Sequence, residues 1–575
     1  MRPNRAVKRS DSIEANGFTA VVGNQNYDKG VMEVKRGKLF SIITVILLIG
    51  ALFTACSESS KTKSVQSTGK TEPQMTKAPD NLNATDYPIV KKPITLKMMG
   101  ISNSMQAPWD KMVIFQDLEK KTNIHFEFSN APAASFQEKK NLAFASNDLP
   151  DIFFGADIEV PDQVNYGSQG ALIPLEKLID QYAPNIKKLL EDRPEIRKTI
   201  TASDGHIYAL PSINDEPRGR MPKVWINSDW MNALKLQMPN STDELYNILK
   251  AFKDKDPNGN SKPDEIPLTF YSKEGLNGLR FGLLANFGLL DSRIGAKDDK
   301  VYYAPMRDEY KQYLTFMNKL FKEKLIDQEA FTQTTQQMTA KGNAGTLGVF
   351  EGAAPFLVVK MDDNTKYLSL PPLTSPTNSQ KQWPINSGIR TGEFAITKNN
   401  KFPEATMRWV DYFYSDEGGR YMFIGPEGMA WNWDSSKTTW TKTTAPSPFK
   451  NPEEYRGSIT PNMGTMTPGV VPNSFMSKFG FPPAQHIIGQ VQKNYVPNIK
   501  LQFPTVFLTP DEQSKVNAVI TDIQTYAEQM EAKFIIGNEP ISNWDNYIGT
   551  LKKMGIENVV NIYQVAYDKW KSSKN

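Results

Sequence analysis

The segment from Asp256 to Glu265 reads DPNGNSKPDE and could bind a metal ion. Calcium takes about six to eight oxygen ligands, and short loops supply them from alternate residues because successive side chains point apart. The spacing predicts a calcium site in which Lys262 contributes its backbone carbonyl and leaves its own charge in solvent. The predicted ligands are Asp256, Asn258, Asn260, Lys262, Asp264 and Glu265.

This segment resembles an EF-hand loop only in its first part. Asp256, Asn258 and Asn260 match positions one, three and five, but the final acid Glu265 comes at position ten instead of twelve, and Gly259 is at four instead of six. We interpret it as a shortened loop that uses the same kind of ligands. Magnesium fits less well because it keeps its waters, and the alternative without a metal is an Asx-rich surface turn. The loop joins a predicted helix to the next segment without a nearby nucleophile, so its role is predicted to be structural.

The one long apolar run is LFSIITVILLIGALFTA, from Leu39 to Ala55, and basic residues precede it. A basic flank, a short apolar segment and small residues before a cleavage point indicate a secretory signal peptide over 1–55, for which Met32 is an alternative start. Cys56 is the sole cysteine and follows this run directly. LFTAC resembles the bacterial lipobox, which implies a diacylglyceryl thioether on Cys56 and a membrane anchor facing the extracellular side. The alternative is an ordinary signal peptide with an incidental cysteine.

The charge balance argues against nucleic acid as a partner. The formal net charge of +4 comes from residues 1–55, and the rest of the chain holds 59 basic and 59 acidic residues. A nucleic-acid-binding protein would show a basic excess on part of the chain. The 575 residues also exceed the length of one hydrophobic core, so two or more large domains are expected.

The order of segments predicts an α/β fold after a polar tether. Residues 56–90 are polar and almost without large apolar side chains, which is typical of a flexible, here lipidated, tether. From residue 93 apolar strands alternate with amphipathic helices, a pattern that favours a largely parallel sheet. The later part is rich in helix, and from Asp511 to Trp570 it is nearly all helix.

With these elements in place, the chain resembles the extracellular solute-binding proteins of family 1, the lipoprotein components of carbohydrate ABC importers, and is similar to the alginate-binding proteins among them. The resemblance spans Ile94 to Lys571 and includes the calcium loop, which is a calcium site in the alginate-binding relatives. The stretches that carry it are LPDIFF, GALIPLEKLIDQYAPN, DGHIYALP, the run from WINSDW to PDEIPL, EKLIDQEAF, the run from GEFAITKNN to YFYSDEG, and AKFIIGNEPISNWDNYIGTLKKMG.

The resemblance implies a two-lobed periplasmic-binding-protein-like fold with hinge crossovers, a helix-rich second lobe and the ligand in the cleft. The first lobe is expected to hold 91–212 and 346–410, and the second 213–345 and 411–575 with the calcium loop. The segment 434–472 does not align and is a candidate for ligand specificity. The resemblance further implies a monomer that captures an oligosaccharide and delivers it to ABC permease subunits. The alternative of the same architecture binds a peptide or another organic solute.

Candidate ligand contacts are aromatic and polar residues near predicted strand ends and crossovers. Sugar rings stack on aromatic faces and their hydroxyl groups need fixed polar partners, while α/β sheets bind ligands at the carboxyl ends of their strands. For each residue, packing in the core is the alternative, and Trp409, Tyr412 and Trp544 are predicted to be core. The predicted contacts are Trp109, Asp110, Trp225, Asn227, Trp383, Arg390, Trp431 and Trp433.

No catalytic motif is present, so we predict that the protein is not an enzyme. The three histidines His125, His206 and His486 lie far apart, and no GxSxG-like segment or metalloprotease spacing occurs. A polysaccharide hydrolase or lyase is the remaining alternative, because paired carboxylates cannot be recognised from spacing in sequence.

Overall fold

The computed structural model describes residues 79–83 and 85–573. The strands in this part of the chain are β1 (Ile94–Met99), β2 (Ile101–Ser102), β3 (Ile124–Phe128), β4 (Ala131–Pro132), β5 (Ile152–Phe154), β6 (Leu210–Asn214), β7 (Val224–Asn227), β8 (Ile266–Thr269), β9 (Ile294–Lys297), β10 (Lys300–Tyr303), β11 (Leu347–Glu351), β12 (Tyr367–Ser369), β13 (Trp383–Ile385), β14 (Ile389–Ile396), β15 (Trp431–Trp433), β16 (Trp440–Lys442), β17 (Gly469–Val471) and β18 (Ile499–Leu501).

Helices connect and cover these strands. They are α1 (Val113–Thr122), α2 (Ala133–Ser146), α3 (Val160–Ser168), α4 (Glu176–Tyr182), α5 (Pro184–Asp192), α6 (Pro194–Ile200), α7 (Ser228–Ala233), α8 (Thr242–Asp254), α9 (Ser272–Asn286), α10 (Asp308–Lys322), α11 (Thr335–Asn343), α12 (Pro403–Asp411), α13 (Asp416–Ile424), α14 (Pro452–Ile459), α15 (Asn473–Met476), α16 (Pro482–Asn494), α17 (Pro510–Asn517), α18 (Ile520–Ile536), α19 (Trp544–Lys553) and α20 (Ile556–Ser572).

The first lobe is built on a six-stranded sheet in the order β17-β6-β14-β5-β1-β3. β1 is parallel to β3 and β5, and β14 is antiparallel to both β5 and β6. Ile94, Leu96 and Met98 alternate with exposed residues along β1, as expected for a strand that turns one face to a hydrophobic core. The predicted α/β class and the largely parallel arrangement of these strands are confirmed.

The second lobe contains a four-stranded sheet in the order β12-β7-β11-β8. β7 is buried at every position because helices cover both faces of this sheet. β11 pairs with β7 and β8, so residues 347–351 belong to the second lobe. The boundary predicted at 346 therefore lies too early, and the chain returns to the first lobe only with β14.

Two further boundaries differ from the sequence prediction. Phe413 and Met422 pack in the core of the first lobe and β17 joins its sheet, so the first lobe extends past 410. At the other end, Leu82, Ile89 and Val90 are buried in the same core, so the folded part begins before the predicted end of the tether at 90. These few apolar residues lie in a polar stretch, and only their distant packing partners make them part of the fold.

The crossovers between lobes bring strand ends of the two sheets together. Residues 215–223 join the carboxyl end of β6 to the start of β7, and the segment after β12 returns to β14. Arg220 donates to the carbonyl of Asn386 at 2.7 Å, which ties the two crossovers to each other. Near them, β13 pairs in parallel with β18. Both crossovers thus enter the same edge of each sheet, and these two edges border the cleft.

The segment from Gly425 to Phe481, which contains the unaligned residues 434–472, forms its own small core around Trp440 and Phe475. Gln106 of the first lobe donates to the carbonyls of Pro461 and Met463 at 2.6 and 2.8 Å, so this segment rests on the first lobe beside the cleft. Within the described residues, no helix has both the length and the apolar content needed to cross a membrane. Cys56 and residues 1–78 lie outside the described part.

Candidate functional site

The loop between α8 and β8 is folded around its own oxygen atoms. α8 begins at the cap residue Ser241 and buries Leu245, Leu249 and Phe252, so packing fixes the position at which the loop starts. One carboxylate oxygen of Asp256 accepts from the backbone N–H of Asn260 at 3.1 Å and the other from that of Ser261 at 2.8 Å. These bonds turn the chain back over the carboxylate.

Position six of the loop adopts the left-handed conformation that glycine provides in an EF-hand. Ser261 occupies this position with φ of 59°. Asn260 Oδ1 then accepts from the backbone N–H of Lys262 at 2.8 Å, and the Asn258 and Asn260 amides lie 2.9 and 3.1 Å from Asp264 Oδ1. The side chains at alternate positions thus converge, as the sequence predicts, while the Lys262 residue is exposed.

Glu265 provides the test of whether these residues fit a cation. Its Oε1 is buried and has no hydrogen-bond partner. Burial raises the pKa of its carboxyl group, and the negative charges of Asp264 and Asp256 raise it further. A buried carboxylate oxygen without a donor beside two other acids is stabilised by a bound cation. The residues therefore fit calcium.

The ligand set is not made of acids alone. Within the described residues, no group of three or more His, Cys, Asp and Glu side chains meets in metal-binding geometry. A cation in this loop would accordingly depend on amide and backbone carbonyl oxygens as well as carboxylates, which is the usual set for calcium.

On the first-lobe side of the cleft, an arginine is held between two acids. Arg390 at the start of β14 donates from Nη2 to Asp157 Oδ2 at 2.6 Å, and its Nε lies 2.8 Å from Glu393 Oε1. Asp157 follows the carboxyl end of β5, and its side chain is 45% exposed. Glu393 is buried, and desolvation raises its pKa to about 8. Arg390 and Asp157 thus present a paired charge to solvent at the sheet edge.

The first crossover carries a second charge pair. Arg218 Nε lies 3.1 Å from Glu216 Oε1, and both side chains are almost buried. Lys223 at the end of this crossover donates to the carbonyls of Arg218 and Met221 at 2.7 and 3.2 Å. Burial lowers the pKa of Lys223 to about 8. These bonds hold the crossover in one conformation where it meets the second sheet.

On the second-lobe side, Glu351 ends β11 opposite the start of β7. It retains partial solvent exposure, but desolvation raises its pKa to about 7 while nearby Lys223 opposes the rise. Partial exposure combined with a raised pKa is expected at the floor of a narrow cleft, where a carboxylate meets few water molecules.

The segment 425–481 adds an aromatic surface and more paired charge. Trp433 in β15 keeps part of its ring exposed and packs edge-on against Trp431 and Phe475. Behind it, Glu453 forms ion pairs with Lys442 and Arg456. Burial lowers the pKa of Lys442, and the positive charges of Arg456 and then Arg218 lower it further, so this group lies near the first crossover.

Four of the tryptophans that the sequence suggested as ligand contacts are core residues. Trp225 is fully buried and donates to the carbonyl of Gly352 at 2.7 Å, and Trp383 is fully buried and stacked on Tyr495. Trp109 stacks on Phe115, and Trp431 donates to the carbonyl of Gly425. Because these rings have no exposed face, the structure reassigns them to packing, the alternative weighed for each.

The polar residues that the sequence suggested as ligand contacts also include both structural and solvent-accessible groups. Asn227 is buried and caps α7 by accepting from the backbone N–H groups of Asp229 and Trp230, so its role is structural. Asp110 is exposed and pairs with Lys111 at 3.0 Å, and its ligand contact stays a prediction. Arg390 lies at the edge of the first sheet and Trp433 is partly exposed, and their ligand contacts stay predictions. Trp409 and Trp544, predicted as core, are buried.

Sequence reasoning missed Asp157, Glu216, Arg218, Lys223, Glu351 and Glu393. A usable signal exists for two of them, because DIFFGAD and LGVFEG each place an acid at or just beyond the carboxyl end of an apolar strand, at the edge where α/β sheets bind ligands. The other four have no such signal.

The histidines do not form a catalytic group. His125 pairs with Glu119 and His206 with Glu176, whereas His486 contacts the carbonyl of Tyr367 through Nε2. Within the described residues, none of the three has a hydroxyl or thiol nucleophile among these partners. The paired charges and Trp433 instead provide hydrogen-bonding groups and an aromatic face, which suit reversible binding of a polyhydroxylated ligand.

Trp433 and Trp225 make a matched pair of tests. We expect Trp433→Ala to weaken ligand binding by about 1–3 kcal/mol, the range for one large apolar contact, with little change in melting temperature. Trp225→Ala should instead destabilise the fold by about 3–5 kcal/mol, because it leaves a cavity in a closed core. Calorimetry for affinity and scanning calorimetry for stability separate the two effects. Unchanged affinity in Trp433→Ala would remove this residue from the site.

Comparison with known proteins gives matches over nearly the whole folded part. Residues 102–420 match the family described as bacterial extracellular solute-binding protein. The fructooligosaccharide ABC transporter substrate-binding protein FusA of Streptococcus pneumoniae serotype 4 is 32% identical over 532 residues, which cover 87% of this chain and 94% of FusA. The polygalacturonan/rhamnogalacturonan-binding protein YtcQ of Bacillus subtilis is 27% identical over 60% of this chain and 68% of YtcQ.

Solved structures agree with these matches. FusA of S. pneumoniae in complex with kestose has a TM-score of 0.67 at 30% identity, and covers 84% of this chain and all of its own. A second FusA structure, at 29% identity and the same coverage and TM-score, is of an EF-hand mutant in complex with fructo-nystose. The alginate-binding protein AlgQ2 without calcium ion has a TM-score of 0.63 at 26% identity, with 84% of this chain and all of AlgQ2 covered. The predicted two-lobed fold and the family resemblance are confirmed.

Proposed function

Because the chain belongs to the bacterial extracellular solute-binding protein family, we propose that it is a lipid-anchored receptor that captures an oligosaccharide and delivers it to an ABC permease. The observation that carries this proposal is the edge of the first sheet with the adjoining crossover, where the Arg390–Asp157 and Arg218–Glu216 charge pairs lie, together with the partly exposed Trp433 of the segment 425–481. Relatives named for oligosaccharide and polysaccharide binding support the same ligand class.

Capture follows from the two sheets and their crossovers. A ligand that contacts Arg390 and Asp157 on one lobe and Glu351 on the other favours the conformation in which the lobes approach each other, since only that conformation makes both sets of contacts. The protein acts as a monomer, and the closed receptor is the form that the permease subunits recognise.

The proposed action is binding without chemical change. Calorimetric titration with oligosaccharides should give a saturable signal at a stoichiometry of one, and ligand should raise the melting temperature because it binds only the folded state. Reducing ends and unsaturated products should stay at background in the same mixtures. Steady product release would contradict the receptor function and favour a hydrolase or lyase.

Calcium and the anchor complete the proposal. Calcium bound at Asp256–Glu265 holds the connection between α8 and β8, and Asp256, Asn258, Asn260, Lys262, Asp264 and Glu265 would supply its oxygens. The metal acts on the stability of the second lobe and takes no part in ligand binding. The lipid on Cys56 keeps the receptor at the extracellular face of the membrane, with the polar residues after it as a tether.

A further inference from the structure

A short segment between β18 and α17 contributes side chains to the cores of both lobes. This segment, residues 502–509, contains neither helix nor strand, and we call it the strap. Val506 and Leu508 are buried in the second-lobe core, which also holds the residues of β7. Phe507 lies between them in the chain and is buried in the first-lobe core that contains Phe153 of β5. Successive residues of the strap therefore belong to different lobes.

The strap begins beside the crossovers. The backbone N–H of Gln502 donates to the carbonyl of Ile385 at 3.0 Å, and Ile385 directly precedes Asn386, whose carbonyl accepts from Arg220 of the first crossover. The side chain of Gln502 also donates to the carbonyl of Leu290 at 3.0 Å. These bonds fix the start of the strap to the second lobe at the place where the chain passes between the lobes.

Polar contacts join the lobes again at the far end of the strap. Ser203, in the turn before β6, donates from Oγ to the carbonyl of Leu508 at 3.4 Å. The backbone carbonyl of Ser203 accepts from Lys569 of α20 at 2.7 Å. α17 follows the strap directly and packs against α3 of the first lobe. Phe507 is thus surrounded by contacts between the two lobes.

The covalent geometry of the strap limits how far the lobes can separate at this point. Neighbouring Cα atoms are about 3.8 Å apart across a trans peptide bond, so Phe507 and Leu508 hold the two cores together. A motion that parts the lobes here must withdraw one of these buried side chains, which exposes apolar surface and leaves a cavity. The crossovers hold the lobes at a second point, where Arg220 contacts Asn386. Two fixed points define a line about which the lobes can still rotate.

We propose that Phe507 is a pivot and that the lobes open and close about the line from the crossovers to this residue. The pivot permits this one rotation and excludes a twist of one lobe against the other. A twist turns the two halves of the cleft away from each other, so its exclusion raises the fraction of ligand-free protein that can close on a ligand. Phe507 therefore raises affinity without touching the ligand. This effect on affinity, but not the pivot itself, rests on the receptor function proposed above.

Distances between the lobes test the pivot in the absence of ligand. In a Cys56→Ser background, spin labels on Leu142→Cys of α2 and Lys250→Cys of α8 occupy exposed positions on the first and the second lobe. Electron paramagnetic resonance then gives the distribution of distances between the labels. We expect Phe507→Ala to make this distribution about twofold wider, because the twist becomes available. A distribution as narrow as that without the Phe507 substitution would overturn the pivot.

Leu508→Ala is the matched control, because Val506 stays in the second-lobe core and Phe507 in the first. This variant should also melt at a lower temperature than wild type, since it loses buried apolar contacts, but its distance distribution should keep the original width. Equal broadening in both variants would show a general loss of packing and contradict the pivot. If Phe507→Ala does not fold, Phe507→Val loses less of the side chain and serves for the same comparison.

Calorimetric titration measures the consequence for affinity. Kestose and trigalacturonate are the probes, and the one that raises the melting temperature of wild type is used. We expect Phe507→Ala to bind it at least about fivefold more weakly, and Leu508→Ala to bind it within about twofold of wild type. Unchanged affinity in Phe507→Ala would overturn the role in binding. If neither probe binds wild type, the receptor function fails for these sugars, while the distance measurement still decides the pivot.

Discussion

Removal of calcium should lower the melting temperature of the second lobe by about 5–10 °C. A ligand present at a hundredfold its dissociation constant stabilises the folded state by about 2.7 kcal/mol, and each kcal/mol shifts the melting temperature of a lobe of this size by about 2–4 °C. The loop has the features that make this stabilisation available, since Asp256 and Asp264 both accept hydrogen bonds from Asn260 and Glu265 Oε1 is buried without a hydrogen-bond partner. Scanning calorimetry with and without a chelator measures the effect, and calcium should restore the melting temperature better than equal magnesium.

Asp256→Ala combined with Asp264→Ala should lower the melting temperature by a similar amount and abolish the response to the chelator. Asp434→Ala is the control, because Asp434 also closes an Asx turn but its carboxylate is satisfied by donors from Thr438 and Thr439. That variant should keep the full response to the chelator. Affinity for oligosaccharide should change little in the chelated wild type and in the double variant. A wild-type melting temperature that does not respond to chelation, or elemental analysis that finds no calcium, would leave the loop as a turn only.

Replacement of the single cysteine should remove the protein from the membrane. If Cys56 carries a diacylglyceryl group, Cys56→Ser loses the hydrophobic anchor, and we expect the folded receptor to pass from the membrane fraction to the medium. The expected change is nearly complete, because buried acyl chains contribute about 0.8 kcal/mol for each CH₂ group. Cell fractionation followed by immunoblotting measures it.

Mass spectrometry of the N-terminal peptide gives an independent test of the anchor. Wild-type protein should begin at Cys56 with the lipid attached, and Ser57→Ala should remain at the membrane as a matched control. A free thiol at Cys56 in the membrane-bound wild type would contradict the lipid anchor. Retention of Cys56→Ser in the membrane fraction would contradict it as well.

The sequence alone determined features that depend on residues close together in the chain. The predicted calcium loop needs only the spacing of its own oxygens, and the structure places Asp256, Asn260 and Asp264 together within ten residues. The amphipathic pattern of α8 likewise predicts which face of that helix is buried. The alternation of strands and helices fixes the α/β class. The spacing of apolar residues and the order of the predicted elements can both be read from the chain itself.

The tertiary structure decided which aromatic and charged residues reach the cleft. Trp225 and Trp433 have similar sequence surroundings, yet Trp225 is enclosed by Gly352 and the second core, whereas Trp433 keeps an exposed face. Asp157 and Arg390 are separated by 233 residues and become a pair only when β14 inserts beside β5. Burial and charge pairing are set by partners that the chain brings from far away, and no local pattern encodes those partners.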